Sequence, residues 1–74
     1  MSTDAKFIKA LGKNIDKIRL EKGLSFQEMA LACEMEKAQV YRLCKEGINI
    51  TSVTLLKISK GIDVSIQELF NFKY

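Results

Sequence analysis

Residues 23–47, GLSFQEMALACEMEKAQVYRLCKEG, decide the fold of this chain. Ser25 and Glu28 have the spacing of a capping box, in which the serine oxygen and the glutamate carboxylate each accept a hydrogen bond from the other residue's amide. A helix is therefore predicted to begin directly after Ser25. Apolar residues then recur at helical intervals and predict two short helices around a turn of about 3–4 residues. The predicted inner residues are Met29, Ala30 and Cys33 on the first helix, Met35 at the corner, and Val40, Leu43 and Cys44 on the second.

The second helix is predicted to turn a polar face outward. Successive residues of a helix are about 100° apart, so burial of its apolar residues sends the opposite residues to the surface. Their side chains include a guanidinium, an ammonium, an amide and a phenol, which are groups that contact base edges and phosphates in the major groove of DNA. The residues concerned are Ala38, Arg42 and Lys45, with Gln39 and Tyr41 on the flanks.

The spacing of these apolar residues resembles the helix-turn-helix of the XRE family, which includes the phage repressors and Cro. The segments on either side, LGKNIDKIRLEKGLS and NITSVTLLKISKGIDVSIQELF, are similar to the flanking helices of that family. The resemblance covers about residues 11–70. It implies an all-α, compact five-helix DNA-binding domain with the helix-turn-helix at helices 2 and 3. It also implies a sequence-specific regulator of transcription, expected to be a repressor, that reads double-stranded DNA with the helix at about residues 36–45.

The resemblance also implies which residues contact DNA. Arg42 and Gln39 are expected at base edges, and Ser25 and Gln27 at a phosphate near the start of the first helix of the motif. Taken singly, such residues also occur on any solvated helix face, and their joint placement in this motif favours DNA contact. The predicted DNA-binding residues are Ser25, Gln27, Lys37, Ala38, Gln39, Tyr41, Arg42 and Lys45.

Several positions depart from the family's usual pattern. Glu34 stands at the place of the turn glycine, so either a residue with a side chain accepts the backbone angles of the turn or the turn is slightly reshaped. Phe26 stands where a glutamine commonly contacts phosphate, with Gln27 one place later. Cys44 replaces a common glutamate, and the Glu-Gly pair at residues 46–47 replaces a glycine followed by a basic residue. These departures leave the expected fold unchanged and bear on which DNA contacts are retained.

The remaining segments predict three more helices. An apolar stripe predicts a first helix over about residues 4–22; its members are Ile8, Leu11, Ile15 and Ile18. Thr51 is predicted to cap a fourth helix that is apolar on much of its circumference, and such a helix is either central to the core or shared with a partner. A second capping box, Ser65 with Glu68, predicts a last helix. Its predicted core contacts are Ile66 and Leu69.

Composition predicts one small globular domain. The chain has 74 residues, of which 47% are apolar and 28% charged, and no proline. We therefore expect a single domain over residues 1–74, with its core at about residues 5–70 and a short aromatic extension at 71–74. No membrane span or secretory segment is recognisable, so a cytoplasmic location is expected. The net charge of +3 comes from residues 1–23, with six bases against three acids, and it permits nucleic-acid binding without indicating it.

The sequence lacks the groups that most catalytic and metal sites need. It contains no histidine, which excludes a Ser-His-Asp triad, a Cys-His pair and a histidine metal ligand. Cys33 and Cys44 fall on inner helical faces and are expected to be buried hydrophobes, with a redox switch as the alternative. The four glycines match no loop that cradles phosphate. We therefore expect no enzymatic activity, no metal and no cofactor.

The end of the chain indicates a surface for a second copy. Phe70, Phe72 and Tyr74 are three aromatic residues within five positions, and a single domain reads too few base pairs to discriminate among sites. We therefore expect a homodimer on a palindromic operator, joined by these aromatics as extended segments or on the apolar back of the fourth helix. The alternative is that Phe70 and Phe72 fold back onto their own core. The rival function is a protein-interaction module of antitoxin type, because residues 24–74 carry six bases and six acids.

Overall fold

The computed structural model describes residues 3–74 and contains five helices and no strand in that range. The helices are α1 (Thr3–Glu21), α2 (Phe26–Cys33), α3 (Lys37–Lys45), α4 (Ser52–Gly61) and α5 (Ile66–Leu69). α1 packs against α3 and α5, α2 packs against α3 and α4, and α4 packs against α5. The predicted all-α architecture is confirmed. None of the helices within residues 3–74 has both the length and the apolar character needed to cross a bilayer.

The capping residues start the helices as predicted. At α2 the Ser25 hydroxyl oxygen accepts a hydrogen bond from the Glu28 amide at 3.0 Å, and the Glu28 carboxylate accepts one from the Ser25 amide at 2.9 Å. Ser65 and Glu68 form the same pair of bonds at α5, at 3.1 and 3.2 Å. The Thr51 hydroxyl oxygen caps α4. These side chains satisfy amides of the first helical turns that have no partner within the helix.

The core lies between the five helices and contains the predicted inner faces of α2 and α3. α4 has a buried and an exposed side: Ile58 and the following residue Ile62 are buried, whereas Val53 and Leu56 remain 63% and 46% exposed. The prediction for Ile66 is wrong, because its side chain is 38% exposed and Leu69 makes the core contact of the one-turn helix α5. The side chains with no exposed surface belong to Ile15, Met29, Val40, Leu43, Ile58 and Leu69.

Two glycines allow α3 to lie directly on the backbone of α1. A Cβ added to Gly12, within α1, would overlap the carbonyl oxygen of Leu43 in α3. Gly47, just after α3, has a φ of +74°, and a Cβ added there would lie 2.8 Å from the Cα of Lys9. A side chain at either position would separate the two helices. The position of α3 relative to the rest of the domain therefore depends on these close approaches.

A buried asparagine joins α1 to α5. The Asn14 side chain is 9% exposed, and its Nδ2 donates hydrogen bonds to the carbonyl oxygens of Glu68 at 3.0 Å and Leu69 at 2.8 Å. Those carbonyls lie at the C-terminal end of a helix, where no intrahelical donor is available. The sequence alone did not predict this contact, because an asparagine next to Lys13 is typical of an exposed helix face.

The C-terminal aromatics fold back onto α1. Phe70 and Phe72 are partly buried against the core, and the Phe7 ring lies 6.1 Å and 5.6 Å from their ring centroids. Tyr74 packs edge-on against Phe7 at 5.2 Å while 65% of its surface stays exposed. Within one chain, residues 70–74 form no strand and follow the folded-back alternative. Their participation in a dimer stays a prediction.

Both thiols are expected to be unreactive in the native protein. Cys33 and Cys44 are free and buried; burial raises the pKa of the Cys33 thiol, and burial together with the nearby Asp16 charge raises that of Cys44 to about 12. We expect a thiol reagent to modify the native protein at least about a hundredfold more slowly than the urea-unfolded chain, because only the thiolate of an opened molecule reacts. Rapid modification of either cysteine under native conditions would favour the redox alternative.

Candidate DNA-binding surface

α3 exposes the polar face that the sequence predicted. Its inner residues Val40 and Leu43 have no exposed surface, which fixes the rotation of the helix about its axis. Tyr41 is 48% exposed, and Gln39 lies at the edge of the face and is partly buried. The exposed residues of the face are Lys37, Ala38, Tyr41, Arg42 and Lys45.

The start of α2 is exposed but already occupied in part by the capping box. Ser25 uses both its hydroxyl oxygen and its amide to pair with Glu28. The bonds from Ser25 lower the pKa of the Glu28 carboxyl, so this residue is ionised at neutral pH. A DNA phosphate placed here would lie near that carboxylate and would be held by Gln27, which is exposed, and by the remaining amides of the first turn.

The turn between α2 and α3 keeps its shape with Glu34 at the position of the usual glycine. Glu34 adopts the left-handed conformation with φ +56° and ψ +47°, and its amide donates to the carbonyls of Ala30 and Leu31. The Met35 amide donates to the Ala30 carbonyl at 2.9 Å, and the Met35 side chain packs on the core. A non-glycine residue thus accepts the angles of the turn, which is the first of the two predicted alternatives.

A buried charged residue, Arg19 of α1, lies at the junction of α1, α2 and α3. It is 7% exposed, and its Nε and Nη2 contact Asp16 Oδ1 at 2.9 and 2.8 Å. Its Nη1 donates to the Leu24 carbonyl oxygen at 2.7 Å, and its guanidinium carbon lies 4.0 Å from the centroid of the Phe26 ring. Phe26, which occupies the place of a phosphate-binding glutamine, therefore covers a guanidinium through a cation–π contact.

Two of the predicted DNA-binding residues also join this group. The Lys45 ammonium lies 3.2 Å from Asp16 Oδ2 and 5.9 Å from the centroid of the Phe26 ring, and the Tyr41 ring packs edge-on against Phe26 at 5.3 Å. Burial raises the pKa of the Asp16 carboxyl, but the hydrogen bonds and positive charges of Arg19 and Lys45 outweigh it and lower the pKa below its ordinary value. We call Asp16, Arg19, Phe26, Tyr41 and Lys45 the α1–α3 charge cluster.

The sequence profile of the Cro/C1-type HTH DNA-binding domain matches residues 14–73. The chain belongs to this family. The match covers the helix-turn-helix at α2 and α3 and most of the domain around it, so the resemblance to the phage repressors and Cro is confirmed. The Cro/C1-type domain of this chain is a DNA-binding regulator, with the outward face of α3 as its candidate reading surface.

Solved structures agree with this assignment. The Cro/C1-type domain is similar to the restriction-modification controller protein C.AhdI from Aeromonas hydrophila, with a TM-score of 0.80 and 27% sequence identity over 89% of this chain and 98% of that chain. It is also similar to the wild-type restriction-modification controller protein C.Esp1396I, with a TM-score of 0.80 and 27% identity over 95% and 87% of the two chains. The comparison with curated proteins gave no match.

The α1–α3 charge cluster is the part of the Cro/C1-type domain that sequence reasoning missed. The sequence pattern placed neither Arg19 nor Asp16 in the core or on the binding surface. A signal was present, because the two residues are three apart and each directly follows a core isoleucine, Ile15 or Ile18. An acid and a base that border an apolar stripe at this spacing form an ion pair at the edge of the core. Cys44, where the family commonly has a glutamate, lies next to the same pair.

Proposed function

We propose that this chain is a sequence-specific regulator of transcription, acting as a repressor, that places α3 in the major groove of an operator. The observation that carries the proposal is the exposed face of α3, where the side chains of Lys37 and Arg42 have no hydrogen-bond or ion-pair partner within residues 3–74. Their charges are therefore available to a ligand. The similarity to restriction-modification controller proteins over most of their length supports a regulatory role.

The proposed contacts divide into base reading and phosphate binding. Arg42 and Gln39 would reach base edges, because both have several donors and lie on the outer half of α3, and Ala38 is short enough to allow close approach of the groove. Phosphates would be bound on either side of these three residues. The proposed phosphate contacts are Ser25 and Gln27 at the start of α2, and Lys37 and Tyr41 on α3; Lys45 is exposed beside them but is paired with Asp16.

The proposal includes a homodimer on an inverted repeat. One α3 reads only a few base pairs, so two copies with half-sites about 34 Å apart are needed for useful discrimination. Val53 and Leu56, three residues apart on α4, are both exposed and supply an apolar surface of the kind that a second copy covers. Among the C-terminal aromatic residues, Tyr74 has the most exposed surface for a second copy. Phe70 and Phe72 instead pack against Phe7 of the same chain.

The separate roles of Arg42 and Lys37 can be tested by single substitutions. We expect Arg42→Ala to weaken binding to the selected site by about 1–3 kcal/mol and to leave binding to random duplex nearly unchanged. Lys37→Ala should weaken binding to both and reduce the slope of log affinity against log salt by about 0.9. Fluorescence anisotropy at several salt concentrations measures both quantities. Lys57→Ala removes an exposed base on α4 and is the control; it should change neither the affinity nor the salt slope. Equal losses of affinity for Arg42→Ala and Lys37→Ala on every sequence would refute the assigned roles.

The rival function is a protein-interaction module that uses the same fold. Leu31, on the outer side of α2, is 72% exposed and would suit an apolar partner. The two functions differ in salt dependence, since phosphate contacts make affinity fall steeply with salt and an apolar interface is much less sensitive. Absence of salt-dependent binding to any duplex would favour the rival.

A further inference from the structure

Lys45 differs from the other bases of α3 because its ammonium already has a carboxylate partner inside the chain, one that it shares with Arg19. Its ammonium contacts Asp16 Oδ2 at 3.2 Å, and this carboxylate belongs to α1, 29 residues earlier in the sequence. An exposed lysine usually pairs weakly with a flexible surface acid. Asp16 is not such an acid, because only 13% of its side chain is exposed and Arg19 holds its other oxygen at 2.8 Å. Lys45 therefore faces a carboxylate that is fixed in place before any DNA arrives.

The geometry limits what Lys45 can add to DNA binding. The Lys45 side chain is 45% exposed, so a phosphate can approach it, but the ammonium must leave Asp16 or share its donors to bind that phosphate. The salt dependence of binding reflects the number of DNA phosphates that the protein neutralises. A lysine that stays paired with a carboxylate of its own chain neutralises no phosphate and therefore contributes little to this dependence. Lys37, at the other end of α3, has no such carboxylate partner in residues 3–74.

We propose that Asp16 is a built-in counter-ion that withholds Lys45 from DNA phosphates and thereby lowers the affinity of the domain for DNA of any sequence. Asp16 acts through Lys45 and is a positioning residue that makes no DNA contact itself. The inference rests on the proposed function, because it assumes that α3 faces DNA. A weaker sequence-independent affinity leaves more protein free to find its site among the many competing sequences of a genome.

The test compares acid-to-amide variants that change the net charge equally. Asp16→Asn keeps an oxygen that accepts from Arg19 and removes the charge that holds Lys45, whereas Glu21→Gln neutralises an exposed acid near the end of the same helix. For random duplex DNA, we expect Asp16→Asn to steepen the slope of log affinity against log salt by about 0.9, with about three- to eightfold tighter binding at about 0.1 M salt. Glu21→Gln should change the slope much less.

A second substitution shows whether the gain comes from Lys45. In the double variant Asp16→Asn with Lys45→Met, the increase in the slope of log affinity against log salt should disappear. As single substitutions in the otherwise native chain, Lys45→Met should leave this slope unchanged, whereas Lys37→Met should lower it by about 0.9. This last pair decides the question even when Asp16→Asn fails to fold. Equal slopes for Asp16→Asn and Glu21→Gln, or equal losses for Lys45→Met and Lys37→Met, would overturn the inference. Absence of salt-dependent binding by the native chain would instead overturn the proposed function itself.

Discussion

Arg19→Met is expected to destabilise the domain by about 3–5 kcal/mol at pH 7. Methionine is long enough to fill most of the space and can still contact the Phe26 ring, so the main loss is that of the guanidinium. Asp16 would keep only Lys45 as a partner, and the Leu24 carbonyl would lose its donor. The Asp16 carboxylate then has one exposed ammonium in place of a close guanidinium, and removing one partner of a buried ion pair costs more than the pair itself contributes. Urea unfolding followed by circular dichroism measures the loss, against a total of about 4–11 kcal/mol for a domain of this size.

Two further measurements show whether the weakened pairing of the Asp16 carboxylate causes that loss. The double variant Arg19→Met with Asp16→Asn should be more stable than Arg19→Met alone, because the poorly paired charge is gone. Asp16 has a lowered pKa in the folded chain, so its stabilising effect is present above its ordinary pKa of 3.8 and is lost as the pH falls through the folded value. The difference in the free energy of unfolding between the native chain and Arg19→Met should therefore narrow as the pH falls from about 5 through the folded pKa of Asp16. A difference in the free energy of unfolding that does not change with pH would show that lost packing alone causes the destabilisation.

Gly12→Ala is expected to destabilise the domain by about 2–4 kcal/mol, even though alanine is the better helix former by about 1 kcal/mol. The added methyl group would overlap the Leu43 carbonyl oxygen, and a backbone atom within a helix cannot rotate out of the way. α3 would have to move off α1, which carries the proposed reading face with it. The free energy of unfolding and the affinity for the selected DNA site should therefore fall together.

Gly23→Ala is the matched control for this substitution. Gly23 has a φ of +69°, but a Cβ added there would meet no atom within 4 Å. Only the left-handed backbone conformation is then penalised, at about 1–2 kcal/mol, and DNA binding by the folded protein should be unaffected. A smaller loss for Gly12→Ala than for Gly23→Ala would show that α1 and α3 can separate at little cost.

The local and periodic features of this fold could be read from the sequence. Capping boxes involve residues only three apart, and the inner faces of α2 and α3 follow from helical spacing, so both predictions depend on local geometry. At Glu34 the sequence left two outcomes open, and the structure follows the one in which this residue accepts the left-handed conformation of the turn. The exposed face of α3 then followed from the burial of the opposite face.

The contacts that the sequence did not predict depend on how the helices pack against each other. Burial of Arg19 requires the chain to turn back after α1, so that the Leu24 carbonyl of the connection and the Phe26 ring of α2 reach it, and the position of Lys45 requires an acid 29 residues earlier. Asn14 likewise depends on carbonyls more than fifty residues later. A charged or polar residue beside an apolar stripe is compatible with solvent or with such a partner, and only the packing of the helices decides between them.

Selection of bound fragments from a random duplex library tests the proposed function most directly. The native chain is mixed with the library at moderate salt, the bound fraction is amplified over several rounds, and the enriched sequences are aligned. The expected result is an inverted repeat with half-site centres about 10–10.5 base pairs apart, in which Arg42→Ala relaxes the preference at one position of each half-site. Failure to enrich any sequence, or enrichment that Arg42→Ala leaves unchanged at every position, would contradict a reading role for α3.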